Sequence, residues 1–214
     1  YLTFQLCLNG KTLFEGIEEL QPASFLTFSK NKFEIQKYWE VFYEPDFSKS
    51  EKYFEKEFTE LLMNSIQLHM VSDVPVGAYI SGGYDSSSIG SIANSFSDDD
   101  FIGFTGKFSK YGEQFDESYY ASIVANQNNF VLKSIDISSK DFIDNISKVI
   151  YHLDHPVAGP GSFSQYMVSS LASKDRKVVL GGQGGDEIFG GYTRYLIAYF
   201  EQCIKAAIDG KSKN

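Results

Sequence analysis

The residues with the clearest chemical potential lie at 81–86 and read Ser-Gly-Gly-Tyr-Asp-Ser, after an apolar segment at 76–80 and before a predicted helix at 86–95. Adjacent glycines let the backbone approach an anion closely, and the first amides of a helix point unpaired N–H groups at that anion. The hydroxyls of Ser81 and Ser86 add hydrogen-bond donors. The segment therefore predicts a strand, a phosphate-binding loop and a helix, with pyrophosphate as the anion.

Asp85 places a carboxylate where phosphate oxygens would lie. Because two anions repel unless a divalent cation lies between them, Asp85 predicts Mg²⁺ bridging to a nucleotide. The loop lacks the Gly-Lys-Ser/Thr ending of the Walker loop, which favours attack at the α-phosphate of ATP with pyrophosphate leaving. The alternative is an ordinary strand-turn-helix in which Ser86 caps the helix.

A second glycine-rich segment occupies residues 178–192 and reads Val-Val-Leu-Gly-Gly-Gln-Gly-Gly-Asp-Glu-Ile-Phe-Gly-Gly-Tyr. It follows a predicted strand at 177–181 and carries the adjacent carboxylates Asp186 and Glu187. Loops at the carboxyl ends of neighbouring parallel strands converge, so we expect Asp186 to meet Asp85 across one metal ion. The alternative is that both acids only complement the dipole of a following helix.

Strand and helix patterns alternate through most of the chain, which predicts an α/β fold with a parallel sheet. Before this region, residues 2–8, 24–28 and 32–38 read as strands, and residues 44–48 read as a linker. The predicted helices are at 50–72, 86–95, 116–127, 139–151 and 161–174, and the predicted strands of the parallel sheet are at 76–80, 101–106, 130–136 and 177–181.

Composition excludes several classes of protein. A hydrophobic fraction of 43% excludes wholesale disorder, and two cysteines provide no disulfide framework. The net charge of −9 argues against nucleic acid as a partner, and no apolar run reaches membrane-spanning length, so we expect no membrane partner and a cytoplasmic location. ATP binding remains compatible with this charge, because backbone amides and a metal ion neutralise phosphates locally.

Four motifs together resemble the synthetase domain of glutamine-dependent asparagine synthetases. They are Ser-Gly-Gly-Tyr-Asp-Ser at 81–86, Phe-Asp-Glu at 115–117, Asp-His-Pro-Val at 154–157 and Gly-Gly-Gln-Gly-Gly-Asp-Glu-Ile-Phe-Gly-Gly-Tyr at 181–192. Residues 12–22 and Tyr38-Trp39 are similar to the end of that family's glutaminase domain. The resemblance implies an adenine-nucleotide α-hydrolase (PP-loop) fold with helices on both faces of the sheet.

The resemblance also implies an activity in asparagine biosynthesis. ATP would activate the side-chain carboxylate of aspartate as an acyl-adenylate and release pyrophosphate, and ammonia from glutamine would then displace AMP. The implied cofactors are ATP and Mg²⁺, the implied partners are these small molecules, and a homodimer is left open. Residues 1–43 would be the last strands of an incomplete class II glutaminase domain, and residues 50–214 an incomplete ATP-pyrophosphatase domain.

Carried over by position, the resemblance assigns roles to single residues of both loops. Ser81, Gly82, Gly83, Asp85 and Ser86 would bind pyrophosphate, and Asp85 with Asp186 would hold Mg²⁺. Tyr79, Gly181 and Gly182 would line the adenosine site, and the strand end at Thr105 and Gly106 would touch adenine. Gln183 and Glu187 are the candidate catalytic residues.

Gln183 departs from the family pattern, which commonly has glutamate in a Gly-Glu-Gly segment. An amide cannot accept a proton as a general base, so Gln183 could only orient a substrate through hydrogen bonds. This favours two alternatives to asparagine formation: amidation of another carboxylate, such as a sugar acid in surface-polysaccharide synthesis, or nucleotide binding without catalysis.

Both ends of the chain also depart from the pattern. The family's glutaminase uses an N-terminal cysteine, whereas this chain begins with Tyr1 and has Cys7 inside a predicted strand, where a small core residue is expected. The chain ends at Asn214, before the later basic residues that the family directs at phosphates. We therefore expect a fragment of a larger enzyme that is inactive by itself.

Overall fold

The computed structural model describes residues 1, 3, 7–97, 100–154 and 161–210. The chain forms two compact units, of which one contains residues 1–59 and 140–163 and the other contains residues 60–139 and 164–214. The domain boundary predicted at 44–48 stays a prediction, as does most of the strand at 2–8, whose residues 2 and 4–6 lie outside the described part. Thr3, Cys7 and Leu8 of that segment are not in a strand.

The elements follow the predicted alternation. The strands are β1 (Ser24–Ser29), β2 (Lys32–Lys37), β3 (Val76–Tyr79), β4 (Ile102–Lys107), β5 (Val131–Asp136) and β6 (Val178–Leu180). The helices are α1 (Glu51–His69), α2 (Tyr84–Ser95), α3 (Ser118–Asn128), α4 (Ser139–Leu153), α5 (Gly161–Ala172), α6 (Gly185–Phe189) and α7 (Thr193–Ile208). No helix in the described ranges is both long and apolar enough to cross a membrane.

In the first unit, β1 and β2 form an antiparallel hairpin. Lys30 and Asn31 both have positive φ angles, of 50° and 60°, as the two-residue turns of hairpins require. The cross-strand pairs Leu26–Ile35 and Phe28–Phe33 place apolar side chains on one face of the hairpin. In the same unit, the rings of Phe142 and Phe163 pack edge to face with centroids 5.1 Å apart.

In the second unit, the four remaining strands form a fully parallel sheet in the order β5-β4-β3-β6. One buried cluster contains Ala78 and Ile80, which follow one face of β3, with Ile66 of α1, Ala93 of α2 and Ala121 of α3. A second cluster contains Ile102 and Phe104 of β4, with Val168 and Ala172 of α5. Tyr79, which alternates with Ala78 and Ile80, packs against this second cluster.

The two clusters confirm the predicted fold class, a parallel sheet with helices on both faces. Close approach of α2 to β3 depends on Gly90, where an added methyl group would overlap the side chain of Ile80. The start of α2 differs from the prediction, because the helix begins at Tyr84 after Gly83 rather than at residue 86. Asp85 and Ser86 therefore lie in the first helical turn, and the hydroxyl of Ser86 is not the N-cap.

Candidate functional site

The first loop connects β3 to α2 at the carboxyl edge of the sheet. Gly82 has a φ angle of 93°, a conformation that favours glycine. A Cβ atom at Gly82 would lie 2.7 Å from the Cβ of Tyr120 and 3.0 Å from the carbonyl oxygen of Glu117. The loop thus turns tightly against the start of α3, and no larger residue fits at this position.

Hydrogen bonds within the loop fix its shape. The Oγ of Ser86 accepts the N–H of Ser81 at 3.1 Å, and the Oγ of Ser81 accepts the N–H of Gly83 at 3.2 Å. The two hydroxyl oxygens are 2.8 Å apart. The Ser86 hydroxyl also lies 3.3 Å from the carbonyl oxygen of Gly83, which can accept its hydrogen. When Ser86 donates to Ser81 and not to Gly83, the hydroxyl hydrogen of Ser81 stays available for a ligand. The first amides of α2 also lie outside the helical hydrogen-bond pattern, as at any helix start.

The second loop packs directly on the first. A Cβ atom at Gly182 would lie 2.8 Å from the backbone nitrogen of Ser86, and one at Gly185 would overlap the carboxylate of Asp85. This contact follows from the parallel pairing of β3 with β6, in which Ala78 lies opposite Leu180. The structure therefore brings together residues about a hundred positions apart in the sequence, as expected.

The second loop also accommodates its own polar side chains over glycines. A Cβ atom at Gly191 would overlap the carboxylate of Asp186, and one at Gly181 would overlap the side-chain amide of Gln183. Glycine at these positions creates the space that the carboxylate and the amide occupy. Gly184 and Gly190 have φ angles of 102° and 67°, which completes the two turns on either side of α6.

Glu187 is held by an aromatic neighbour. The hydroxyl of Tyr192 donates to Oε1 of Glu187 at 3.1 Å, and this hydrogen bond is the main cause that raises the pKa of Tyr192. The guanidinium of Arg194 lies 4.0 Å from the centre of the Tyr192 ring and 5.3 Å from that of Tyr195. A hydrogen bond to Tyr195 is the first cause that raises the pKa of Arg194.

The two loops enclose a cleft of about 520 Å³, within the roughly 300–1,000 Å³ range of small-molecule sites. Nine of the predicted site residues line it: Tyr79, Ser81, Gly83, Asp85, Ser86, Gly182, Gln183, Asp186 and Glu187. Tyr79 also shares a hydrogen bond of 2.8 Å with Ser169 of α5. The cleft therefore gathers the residues predicted for pyrophosphate, metal, adenosine and catalysis.

Four predicted residues do not line this cleft: Gly82, Gly181, Thr105 and Gly106. Gly82 packs against the start of α3, and Gly181 leaves space for the side-chain amide of Gln183. Gly106 lies in β4, where an added Cβ atom would be 3.0 Å from Ile137 and 3.3 Å from Val168, and Thr105 beside it is buried. Gly106 is half-buried and packs against Ile137 and Val168, and its predicted contact with adenine stays a prediction.

The cleft contains residues that the prediction missed. They are Tyr84, Gln165, Gly184 and Tyr192. Three of them lie within the two glycine-rich motifs, so the motifs themselves were the signal. Gln165 lies in α5, and only the three-dimensional packing of that helix reveals its place.

Two carboxylates in the cleft, Asp85 and Asp186, are the candidate metal ligands. The described residues contain no group of three or more His, Cys, Asp or Glu side chains that could hold a metal ion without other ligands. Mg²⁺ commonly uses one or two protein carboxylates together with substrate phosphates and water. Both carboxylates occupy spaces left by glycines, Gly185 for Asp85 and Gly191 for Asp186, so the residues present fit such an ion.

Comparison with known proteins identifies the family of the chain. Residues 57–213 match the asparagine synthase family. The chain belongs to the asparagine synthase family. The resemblance seen in the four sequence motifs is therefore confirmed over most of the second unit and both glycine loops.

Individual relatives support the assignment. The chain is 32% identical over 196 residues to asparagine synthetase (glutamine-hydrolyzing) 1 of Bacillus subtilis. The aligned region covers 91% of this chain and 30% of that relative. It is 35% identical over 196 residues to a Methanocaldococcus jannaschii protein described provisionally as asparagine synthetase (glutamine-hydrolyzing) 2, covering 88% of this chain and 36% of the relative. The chain thus spans about a third of the length of these relatives.

Among solved structures, the NH3-dependent NAD synthetase from Campylobacter jejuni in complex with the nitrate ion is similar at a TM-score of 0.45 and 15% identity. That similarity covers 64% of this chain and 60% of the other.

Proposed function

We propose that the chain supplies the ATP-binding part of an amide-forming ligase of the asparagine synthase (glutamine-hydrolysing) type, with a PP-loop fold. The observation that carries this proposal is the contact between the two glycine loops, in which the carboxylate of Asp85 fills the space over Gly185 beside Asp186. In this arrangement one ligand would contact both loops: the first would bind its pyrophosphate, and the second would supply another carboxylate.

The proposed reaction has two steps. An oxygen of the acceptor carboxylate attacks the α-phosphorus of ATP, the bond from that phosphorus to the bridging oxygen breaks, and pyrophosphate leaves. The nitrogen of ammonia then attacks the activated acyl carbon, AMP leaves, and the nitrogen loses a proton to give the amide. With aspartate as the acceptor the product is asparagine. Ammonia would come from glutamine elsewhere in the enzyme.

The residues of this chain bind and orient the nucleotide. The amides at the start of α2 and the backbone around Gly83 would bind the leaving pyrophosphate, with the Ser81 hydroxyl as an added donor. Tyr79 would form a wall for adenosine. Asp85 and Asp186 would hold Mg²⁺, which supplies the positive charge that phosphates need beside carboxylates. Glu187, which accepts a hydrogen bond from the Tyr192 hydroxyl, would act on the acceptor carboxylate.

A second candidate differs only in the acceptor. Gln183 lines the cleft with its amide folded toward Gly181, so the site presents a neutral hydrogen-bonding group where the family commonly has a carboxylate. An amide can donate and accept hydrogen bonds but has no useful basicity. This favours an acceptor bound by hydrogen bonds, such as a sugar acid.

Calorimetry on the chain tests the shared part of both candidates. We expect ATP to bind in the presence of Mg²⁺, binding to weaken strongly when a chelator removes the ion, and pyrophosphate with Mg²⁺ to compete with ATP. Equal affinity for ATP with chelator present would contradict the metal site. Binding of ATP that pyrophosphate cannot displace would contradict the assignment of the first loop.

A further inference from the structure

A second cavity, of about 590 Å³, lies outside the cleft that the glycine loops enclose. It is formed by the loop that follows β4 and by the first turn of α3, at the carboxyl edge of the sheet where α/β proteins bind ligands. Its lining is Ser109, Gly112, Asp116, Ser118, Tyr119 and Tyr120, and none of these residues lines the first cleft.

Hydrogen bonds to the end of β5 hold the wall of this cavity in place. Ser109 donates its N–H to Asp136 at 3.2 Å, and its hydroxyl donates to the second oxygen of the same carboxylate. The N–H of Ser139 donates to the hydroxyl of Tyr111 at 2.6 Å. The loop is thus tied at two points to residues that follow it by almost thirty positions, which gives the cavity a fixed shape.

The cavity combines one carboxylate with two aromatic rings. Oδ1 of Asp116 accepts the N–H of Ser118 at 3.0 Å, and a hydrogen bond from the side chain of Ser118 is the main cause that lowers the pKa of Asp116. A carboxylate offers about four acceptor positions, so after the two hydrogen bonds from Ser118 and one from the backbone of Phe108 it can accept one further donor. The rings of Tyr119 and Tyr120 are 5.6 Å apart, and the two residues are 69% and 58% exposed.

We propose that this cavity binds the primary ammonium group of a small alkylamine. An ammonium group donates charge-assisted hydrogen bonds to a carboxylate and is attracted to the faces of tyrosine rings. The hydroxyls of Ser109 and Ser118 supply additional acceptors. The chain's net charge of −9 further favours a cation over an anion.

This site is separate from the proposed ATP cleft but adjoins it. Tyr120 forms one wall of the cavity and its Cβ lies 2.7 Å from the position of a Cβ at Gly82, so the phosphate loop and the cavity share this turn of α3. Ammonium binding needs neither ATP nor Mg²⁺. Its test therefore succeeds or fails independently of the proposed ligase.

Titration of the whole chain with n-propylammonium, followed by amide chemical shifts in NMR spectra, tests the proposal, with 1-propanol as the neutral comparison. We expect shifts at residues 109–120 with propylammonium only. Asp116→Asn keeps an oxygen acceptor for the Ser118 N–H but removes the charge, and we expect it to weaken binding roughly tenfold or more. Tyr119→Leu, which keeps the carboxylate, is expected to weaken binding severalfold.

Asp73→Asn is the matched control, because it removes the same charge from an exposed residue before β3, at the opposite edge of the sheet. We expect it to bind propylammonium as the unchanged chain does. Three outcomes would overturn the proposal: equal shifts with 1-propanol, unchanged affinity in both Asp116→Asn and Tyr119→Leu, or an equal loss in Asp73→Asn. If Asp116→Asn fails to fold, Tyr119→Leu and the propanol comparison still decide the result.

Discussion

The two glycine loops of the cleft are stabilised in different ways. In the first loop, Ser81 and Ser86 hold the backbone through hydrogen bonds that span only five residues. In the second loop, polar side chains occupy spaces that glycines leave open, and one of these spaces, at Gly185, is filled from the first loop by Asp85. Hydrogen bonds thus fix the first loop, whereas close packing of polar side chains over glycines fixes the second.

This difference determines how sensitive each loop is to substitution. Hydrogen bonds within the first loop depend on neighbours in sequence, so its shape is local and each bond contributes a modest free energy. The second loop depends on the register of β6 against β3, and a single added methyl group would displace a carboxylate. Apart from Gly82, where no larger residue fits, we therefore expect the first loop to tolerate small substitutions better than the second.

The largest effect is expected for Gly185→Ala. The added methyl group overlaps the carboxylate of Asp85, which must rotate out of its position over Gly185. Because the displaced group is also the proposed metal ligand, we expect Mg²⁺-dependent ATP affinity to fall by about a hundredfold or more. Calorimetry on the folded variant measures this loss.

Gly161→Ala is the matched control for that change. A Cβ atom at Gly161 has nothing within 4 Å among the described atoms, and the backbone there lies outside the left-handed region. We expect its ATP affinity to equal that of the unchanged chain. If Gly185→Ala also bound ATP normally, the two loops would not depend on this contact and the comparison between them would fail.

The next effect in size is expected for Asp85→Asn and Asp186→Asn. Each removes one charged ligand of the proposed ion, which is worth roughly 2 kcal/mol or about thirtyfold in affinity for ATP with Mg²⁺. If both carboxylates hold the same ion, the double variant should lose much less than the sum of the two single losses. Calorimetry on the three variants gives this coupling, and strict additivity would place the two aspartates at independent sites.

Much of the fold and the first loop could be predicted because their signals are local. Two apolar runs, each followed by a glycine-rich loop, mark the parallel strands that end at Tyr79 and Leu180. Parallel strands bring the loops that follow them to one edge of the sheet. From this rule alone, the convergence of Asp85 with Asp186 was expected. The helix start at Tyr84 was placed two residues late, because Gly83 rather than a serine is the N-cap.

The remaining features depend on distances that no local pattern encodes. That Gly185 accommodates Asp85 requires the register of β6 against β3, and that Gln165 reaches the cleft requires the packing of α5. The packing of Gly106 against Ile137 and Val168 is likewise encoded by no motif, and its contact with adenine stays a prediction. Motifs thus identify residues that gather at the cleft, whereas the contacts of each residue depend on packing across the sheet.

A smaller effect is expected for Ser86→Ala in the first loop. The change removes the acceptor of the Ser81 N–H and the partner of the Ser81 hydroxyl, and each neutral hydrogen bond is worth about 1 kcal/mol. Because these bonds order the loop and are not contacts with ATP, only part of their free energy affects binding, and we expect a loss of about fivefold to tenfold in ATP affinity, well below that of Gly185→Ala. A larger loss from Ser86→Ala than from Gly185→Ala, in the same calorimetric assay, would reverse the proposed contrast between the loops.

The smallest effect on ATP affinity is expected for Gln183→Glu in the second loop. The side chain is exposed and lies toward Gly181, so the added charge is screened by solvent and should change affinity by only about twofold to threefold. The same variant separates the two proposed acceptors when an enzyme that contains this chain is assayed for pyrophosphate release. If Gln183 binds a hydroxylated acceptor such as a sugar acid by hydrogen bonds, Gln183→Glu should slow release with that acceptor by roughly tenfold or more. A gain with aspartate instead would mean that the position acts by proton transfer, and it would exclude the sugar acid as the acceptor.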